Sequence, residues 1–186
     1  MTGEALVDSL KGQLLVSSGG LYDPNFRHTV VLIGEHDESG AVGVILNRPM
    51  EPTVKEAVPA LASLVGPDDP VFEGGPVATD QVVLLAQVQD PGILDLPIFG
   101  SVGFLTGEIA EDTRSTIQQV RVFVGHSGWG AGQLEAEMEA EAWIVEDATE
   151  RYVFAQSPLT LWHDVLKGKG PPYDTMARIP FDPSMN

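Results

Sequence analysis

The chain has no cysteine among its 186 residues. That excludes disulfide bridges, thiolate metal sites and a cysteine nucleophile. Positive charge is scarce: 10 Lys and Arg stand against 27 Asp and Glu, a formal net charge of -17. Affinity for nucleic acid comes mainly from cations that neutralise backbone phosphates. The cations here are scattered, with only Lys167 and Lys169 close in sequence, so direct nucleic-acid contact is disfavoured. No stretch approaches the ~20 apolar residues of a membrane-spanning helix. The opening MTGEALVDSLKG carries acids and no apolar run, unlike a secretory signal. A cytoplasmic protein that does not engage membranes is expected.

What the chain does have is turn chemistry. It holds 20 Gly and 14 Pro with 43% hydrophobic residues, which points to many short elements rather than a helix bundle. One domain over 1–186 is expected, with room for a small subdomain around 80–120. QLLVS (13–17), HTVVLIG (28–34) and AVGVIL (41–46) read as strands, the last two joined as a hairpin through EHDESG. Thr53 and Glu56 form a T-x-x-E capping box for a helix running to about Leu64, broken or kinked at Pro59. Strands follow around Val71-Phe72, over 81–88 and over 101–105, with 90–100 read as loop. A helix is expected over 106–119, capped by Thr106 or Asp112, and a strand over 120–124. QLEAEMEAEAW alternates in apolarity, yet its Ala, Leu, Met and Glu favour helix over 131–140, then strand over 143–146. Ser157-Pro158 opens a late helix with Leu159, Trp162, Val165 and Leu166 on its apolar face, followed by an irregular tail. Strands and helices interleave through short loops, so a mixed α+β architecture is expected.

The stretch VGHSGWGAGQLE (124–135) follows the apolar run VRVFV and is the one segment that suggests chemistry. A G-x-S-x-G nucleophile elbow needs glycine where Trp129 stands, so that match fails. No phosphate-loop or dinucleotide fingerprint is present. The four histidines (28, 36, 126, 163) have no metal-binding spacing, and nothing calls for a cofactor. Two readings of the loop stand. In one, its glycines permit a tight turn around Trp129, whose burial contributes roughly 4–6 kcal/mol gross, while Gln133 and Glu135 reach back to loop N–H groups. In the other, His126 acts as a general base oriented by Glu135 in a hydrolase-type site, with loop N–H groups stabilising an anion.

Four blocks together, YDPNFRHTVVLIGEH (22–36), GAVGVILNRP (40–49), FEGGPV (72–77) and VGHSGWGAGQLEAE (124–137) followed by Trp143, resemble the AlgH/YqgE family of bacterial proteins. The resemblance covers nearly the whole chain. It implies an α+β fold in which a mixed, branched β-sheet curls into a partial barrel with helices packed outside, and a cytoplasmic bacterial origin. It implies no defined activity, although some members carry the label of transcriptional regulator. One departure stands out: the family tends to place a glycine before the second Trp, where this chain has Glu141-Ala142. The family's recurring polar and glycine positions fall on Asn47, Arg48, Gly74, Gly75, Gln133 and Glu135, and with His126 these are the candidate ligand-binding residues. Arg48 suits a carboxylate or phosphate, which its planar fork can bind bidentately; the alternative for it is a salt bridge to Glu135 or another acid. The expected protein is a non-catalytic binding or regulatory module with a protein partner or a small anionic ligand.

Overall fold

The computed structural model describes residues 8–18 and 27–178. The expected turn at YDPNF falls outside them, apart from Arg27 onward. Ten strands form one branched sheet: β1 (Gln13–Ser17), β2 (Val30–Asp37), β3 (Gly40–Ile45), β4 (Pro49–Thr53), β5 (Pro70–Glu73), β6 (Val77–Val88), β7 (Leu96–Phe99), β8 (Val102–Leu105), β9 (Ile117–Gly130) and β10 (Trp143–Asp147). The order is β10-β1-β2-β3-β9-β6-β8-β7, and β4 joins through β5, which pairs with β9. All pairings are antiparallel except β5 with β9. The helices are short: α1 (Val54–Ala57), α2 (Glu111–Arg114), α3 (Gln133–Glu139), α4 (Glu150–Val153), α5 (Leu161–Lys169) and α6 (Tyr173–Met176). None among the described residues is long and apolar enough to cross a membrane.

Alternation along the strands sends side chains to opposite faces, and here both faces are buried. Leu14, Val16, Val30, Leu32 and Val44 enter one core with Phe72, Leu85, Phe104 and Phe123, roofed by Leu161, Trp162, Val165 and Leu166 of α5. Their neighbours Leu15, Val31, Ile33 and Ile45 enter a second core with Trp129, Leu134 and Trp143. A third core lies under α1, built from Val54, Leu84, Ala86, Leu105 and Val122. The sheet curls without closing: Gly34 of β2 lies so near the Phe104 ring that an added Cβ would sit 2.7 Å from it. The architecture is thus α+β, with helices outside a curled, open sheet.

Several elements differ from the sequence reading. The helix expected over 106–119 is reduced to the single turn of α2, capped by neither Thr106 nor Asp112. Gly107 at φ +72 breaks the approach to it, and Ile117 onward pairs along β6 instead. The segment 90–100 contains a strand, β7. The glycine-rich stretch is not a loop: β9 continues to Gly130, because Ser127–Gly130 pair in register with Gly40–Gly43 of β3. Tertiary pairing overrides the local glycine signal: within β9 only Gly125, at φ +74, departs to positive φ, and Gly132, at φ +77, lies past its end. Leu159 does not join an apolar face; it is 76% exposed, in a 3₁₀ turn before α5. The capping box stands as expected, with Glu56 N–H donating to Thr53 Oγ1 at 3.2 Å, and Pro59 turns the rest of that helix into 3₁₀.

Where β9 changes partner from β5 to β3, the chain at 74–75 crosses it. Gly74 N–H donates to the Val124 carbonyl, and the Gly74 carbonyl accepts from Ile45 N–H, each at 2.9 Å. A Cβ on Gly75 would fall on the backbone of His126 and Ser127, and one on Gly74 on the Gly125 carbonyl. Gly75→Ala is therefore expected to cost at least about 2 kcal/mol, the range of an overpacked core, in denaturant unfolding. Glu141, just past α3, sits at φ +57, the left-handed position that helices usually give to glycine. Glu141→Gly is expected to raise stability by about 1 kcal/mol, the cost of that conformation for a residue with a Cβ; an unchanged or lower unfolding midpoint contradicts this.

Candidate functional site

Ser127 is fully buried and its Oγ donates to the Gly74 carbonyl at 3.1 Å. It fastens the strand crossing and presents no nucleophile. His126 stands opposite Val77 in the β6–β9 ladder. The proposed His126–Glu135 couple is not formed: Glu135 Oε1 instead lies 2.5 Å from Nε2 of the buried His36. The Leu10 N–H donates to His36 Nδ1 at 2.9 Å, so in the neutral ring the proton resides on Nε2 and is donated to Glu135. The pair ties α3 to β2 and to the segment before β1. The Glu135 carboxyl is held below the usual carboxylate range, first by its own backbone N–H and then by His36.

Gln133 does reach back, its Oε1 accepting from Gly130 N–H at 3.0 Å. Its amide in turn donates to Glu137 Oε2 at 3.1 Å. The other oxygen, Oε1, accepts from both indoles, Trp129 Nε1 at 3.1 Å and Trp143 Nε1 at 2.9 Å. The two rings meet edge to face at 6.3 Å. One carboxylate thus satisfies the polar ends of two buried tryptophans, a service that each indole N–H needs when buried. Glu137 was not singled out in the sequence, although its position on the first helical face after GWG was available as a signal.

The remaining candidates lie elsewhere. Asn47 is occupied structurally, accepting from Val30 N–H at 3.0 Å and donating to the His28 carbonyl at 2.9 Å. That clamp opens beside a cavity of about 450 Å³ lined by Arg27, His28, Asn47, Arg48, Pro49, Glu73, Leu159, Trp162 and His163. Its floor is aromatic: His28 stacks on Trp162 with centroids 3.9 Å apart and planes 7° from parallel. His163 meets both rings edge-on, at 6.1 and 5.1 Å. Burial lowers the His28 pKa, with His163 and Arg27 adding to it, which favours the neutral ring. Gly74 and Gly75 follow Glu73 and sit behind this cavity against β9; Gln133 and Glu135 belong to the α3 network. Sequence reading placed Arg48 here but missed Arg27, His28, Trp162 and His163, which are separated by more than a hundred residues and carry no joint motif.

A larger cavity, about 760 Å³, lies at the other end of β5 between β9 and the segment 154–160. Arg121 is part of its wall. Among the described residues, no group of three or more His, Asp or Glu could hold a metal.

Residues 14–174 match the AlgH-like family pattern, DUF179. The chain belongs to the AlgH-like family. It is 36% identical to a UPF0301 protein of Streptomyces avermitilis, over the full length of both chains. With a UPF0301 protein of Chlorobaculum tepidum the identity is 38%, covering 94% of this chain and 95% of the relative. The crystal structure of a Corynebacterium diphtheriae protein superposes with a TM-score of 0.83 at 25% identity, covering 91% of this chain and 92% of that one. The solution structure of AlgH from Pseudomonas aeruginosa gives a TM-score of 0.69 at 26% identity, covering 93% and 95%. In this AlgH-like chain the FEGGPV and GHSGWG blocks are two sides of one backbone crossing, and the GQLEAE block supplies the indole and imidazole clamps.

The Glu135 clamp predicts an acid dependence. A carboxyl whose folded pKa lies below its ordinary value of about 4.5 stabilises the fold above that pH and ceases to as pH falls through the folded value. In thermal unfolding from pH 3 to 7, the Tm difference between the wild type and Glu135→Gln should hold steady above pH ~5 and shrink below ~4.5. A difference that grows on acidification contradicts the assignment.

Proposed function

We propose that this AlgH-like protein is a non-catalytic, cytoplasmic binding module that holds a small anionic ligand in the cavity of Arg27, Arg48 and His163. One observation carries the reading: in a chain of net charge -17 with only ten Lys and Arg, two arginines and two of the four histidines line a single 450 Å³ cavity that, among the described residues, contains one acid, Glu73. Guanidinium forks bind phosphate or carboxylate bidentately. A neutral His28 backed by Trp162 supplies a flat, weakly polar wall rather than a further charge. The buried Ser127 and the diversion of Glu135 to His36 support binding rather than hydrolysis. Regulation through direct DNA contact fits poorly with the net charge of -17, which repels a polyanion. A protein partner that reads the liganded state is compatible with the module.

Calorimetric titration of the full chain with inorganic phosphate and with small carboxylates tests this. Saturable binding to the wild type is expected, weakened at least about tenfold in Arg48→Gln, the loss of a charge-assisted hydrogen bond. No binding of any small anion, or binding indifferent to the substitution, overturns the reading.

A further inference from the structure

The second cavity is built around an anomaly. VRVFV reads as a strand buried on both faces, and its neighbours Val122 and Phe123 do enter two different cores. Arg121 alternates with Val122 and so faces the same side as Phe123, and it carries the charge on that face of a strand whose remaining positions there are apolar, glycine or uncharged polar. Its guanidinium lies 4.9 Å from the Phe72 ring centroid. Nη2 donates to the Ala155 carbonyl. Nη1 is buried and has no hydrogen-bond partner among the described residues. A buried charged donor without an acceptor is among the costlier features a fold can retain, and native structures normally fill it or use it.

Arg121 also lines the cavity beside it, and the surroundings define what could bind there. The cavity wall combines apolar side chains, Val54, Leu64, Val65, Phe72 and Leu159 among them, with uncharged polar ones such as Gln119 and Gln156. It opens because β5 pairs with β9 only at Phe72 and Glu73, leaving residues 117–122 of β9 without a strand on that side among the described residues. Asp69 shares the wall and attracts the guanidinium. Its Oδ2 is already taken by Gly66 N–H at 2.8 Å, and no ion pair joins it to Arg121 among the described residues. Asp69 leaves Nη1 unsatisfied, and its charge repels a dianion more than a monoanion. A volume of about 760 Å³ lies within the range of small-molecule sites, about 300–1,000 Å³.

We infer that the cavity between β5, β9 and residues 154–160 binds an amphiphilic monocarboxylate, its carboxylate on the Arg121 guanidinium and its hydrocarbon body against Val54, Leu64, Val65 and Phe72. This site is separate from the phosphate-type cavity, although Pro49 and Leu159 line both. Exposed Leu159 is the apolar rim between them. Arg121 serves here as an anchor and its apolar neighbours set the preference for chain length.

The test is titration of the full chain with butanoate, hexanoate and octanoate, with octanol as the neutral control and inorganic phosphate as the control for the other cavity. Affinity should rise about fourfold per methylene, the equivalent of burying each CH₂, and octanoate should bind at least tenfold more tightly than octanol. Arg121→Met, close in length and apolar, should fold, since it removes an unsatisfied buried charge. It should lose the preference for octanoate over octanol while leaving the phosphate response of the wild type in place. Arg48→Gln should do the reverse. Octanol binding as well as octanoate, no dependence on chain length, or an octanoate affinity unchanged in Arg121→Met each overturn the inference. The comparison of acid with alcohol needs no variant and decides the matter even if Arg121→Met is unstable.

Discussion

The structure depends on one close contact, the passage of Gly74 and Gly75 across the backbone of Gly125–Ser127. Strand β9 is fourteen residues long and serves two neighbours in succession on one side, β5 at Phe123-Val124 and then β3 from Ser127 onward. Two strands can abut against a third only if the chain between them leaves the ladder without a side chain in the way. Glycine allows this, because no Cβ separates the backbones. The hydrogen bonds of Gly74 to Val124 and Ile45, and of Ser127 Oγ to Gly74, fill the polar groups that the crossing would otherwise strand. Because β5 is only four residues long, each of its ends opens a hollow. Glu73 at one end lines the cavity of the two arginines, and Pro70 and Phe72 at the other line the cavity of Arg121. Both hollows follow from the same crossing.

Much of the frame was legible in the residues. Short apolar, β-branched runs located β1, β2 and β3, the polar turn between the last two gave the hairpin, and the Thr53–Glu56 spacing gave a cap that exists. The reach of Gln133 back to Gly130 was likewise legible, since it spans three residues. What failed was whatever depended on distant partners. GHSGWG has the composition of a loop, and only the register with Gly40–Gly43 makes it a strand. Glu135 had a histidine nine positions away to suggest a couple, yet its partner His36 lies 99 positions away. The stack of His28 on Trp162 spans more than a hundred residues and leaves no local trace. Arg121 did leave one, a lone charge inside an apolar strand, and its weight emerges only when the strand is known to be buried on both sides.

The same tertiary logic explains why one carboxylate, Glu137, is shared by two tryptophans. Trp129 ends β9 and Trp143 begins β10, and the short α3 between them must return the chain across the second core. Aromatic area alone would hold the rings without fixing their rotation. A common acceptor for both N–H groups fixes the angle at which they meet, and with it the position of α3 over β3. Glu135 and His36 then fasten the opposite side of the helix. The four alternating glutamates of this segment are therefore not an undifferentiated solvated face: two are structural, and Glu141 occupies the strained residue that ends the helix.

Charge gives the proposed sites their selectivity. The net charge of -17 produces a repulsive field for any anion at a distance, screened beyond about 8 Å at physiological ionic strength. A long polyanion must place many of its charges within that field at once, so each contact made at an arginine is offset by several unfavourable ones. In the proposed reading a small anion meets that repulsion once, on approach, and then lies in a concavity where guanidinium groups stand beside a single acid, Glu73 or Asp69, and low-dielectric walls strengthen the attraction. On that reading, an acidic surface with arginines lining two hollows disfavours nucleic acid and favours small acids by the same arrangement. Of the two hollows, the one with two arginines and a neutral imidazole tolerates more charge on its ligand than the one where a single guanidinium stands beside Asp69, and that difference is what separates a phosphate from a monocarboxylate.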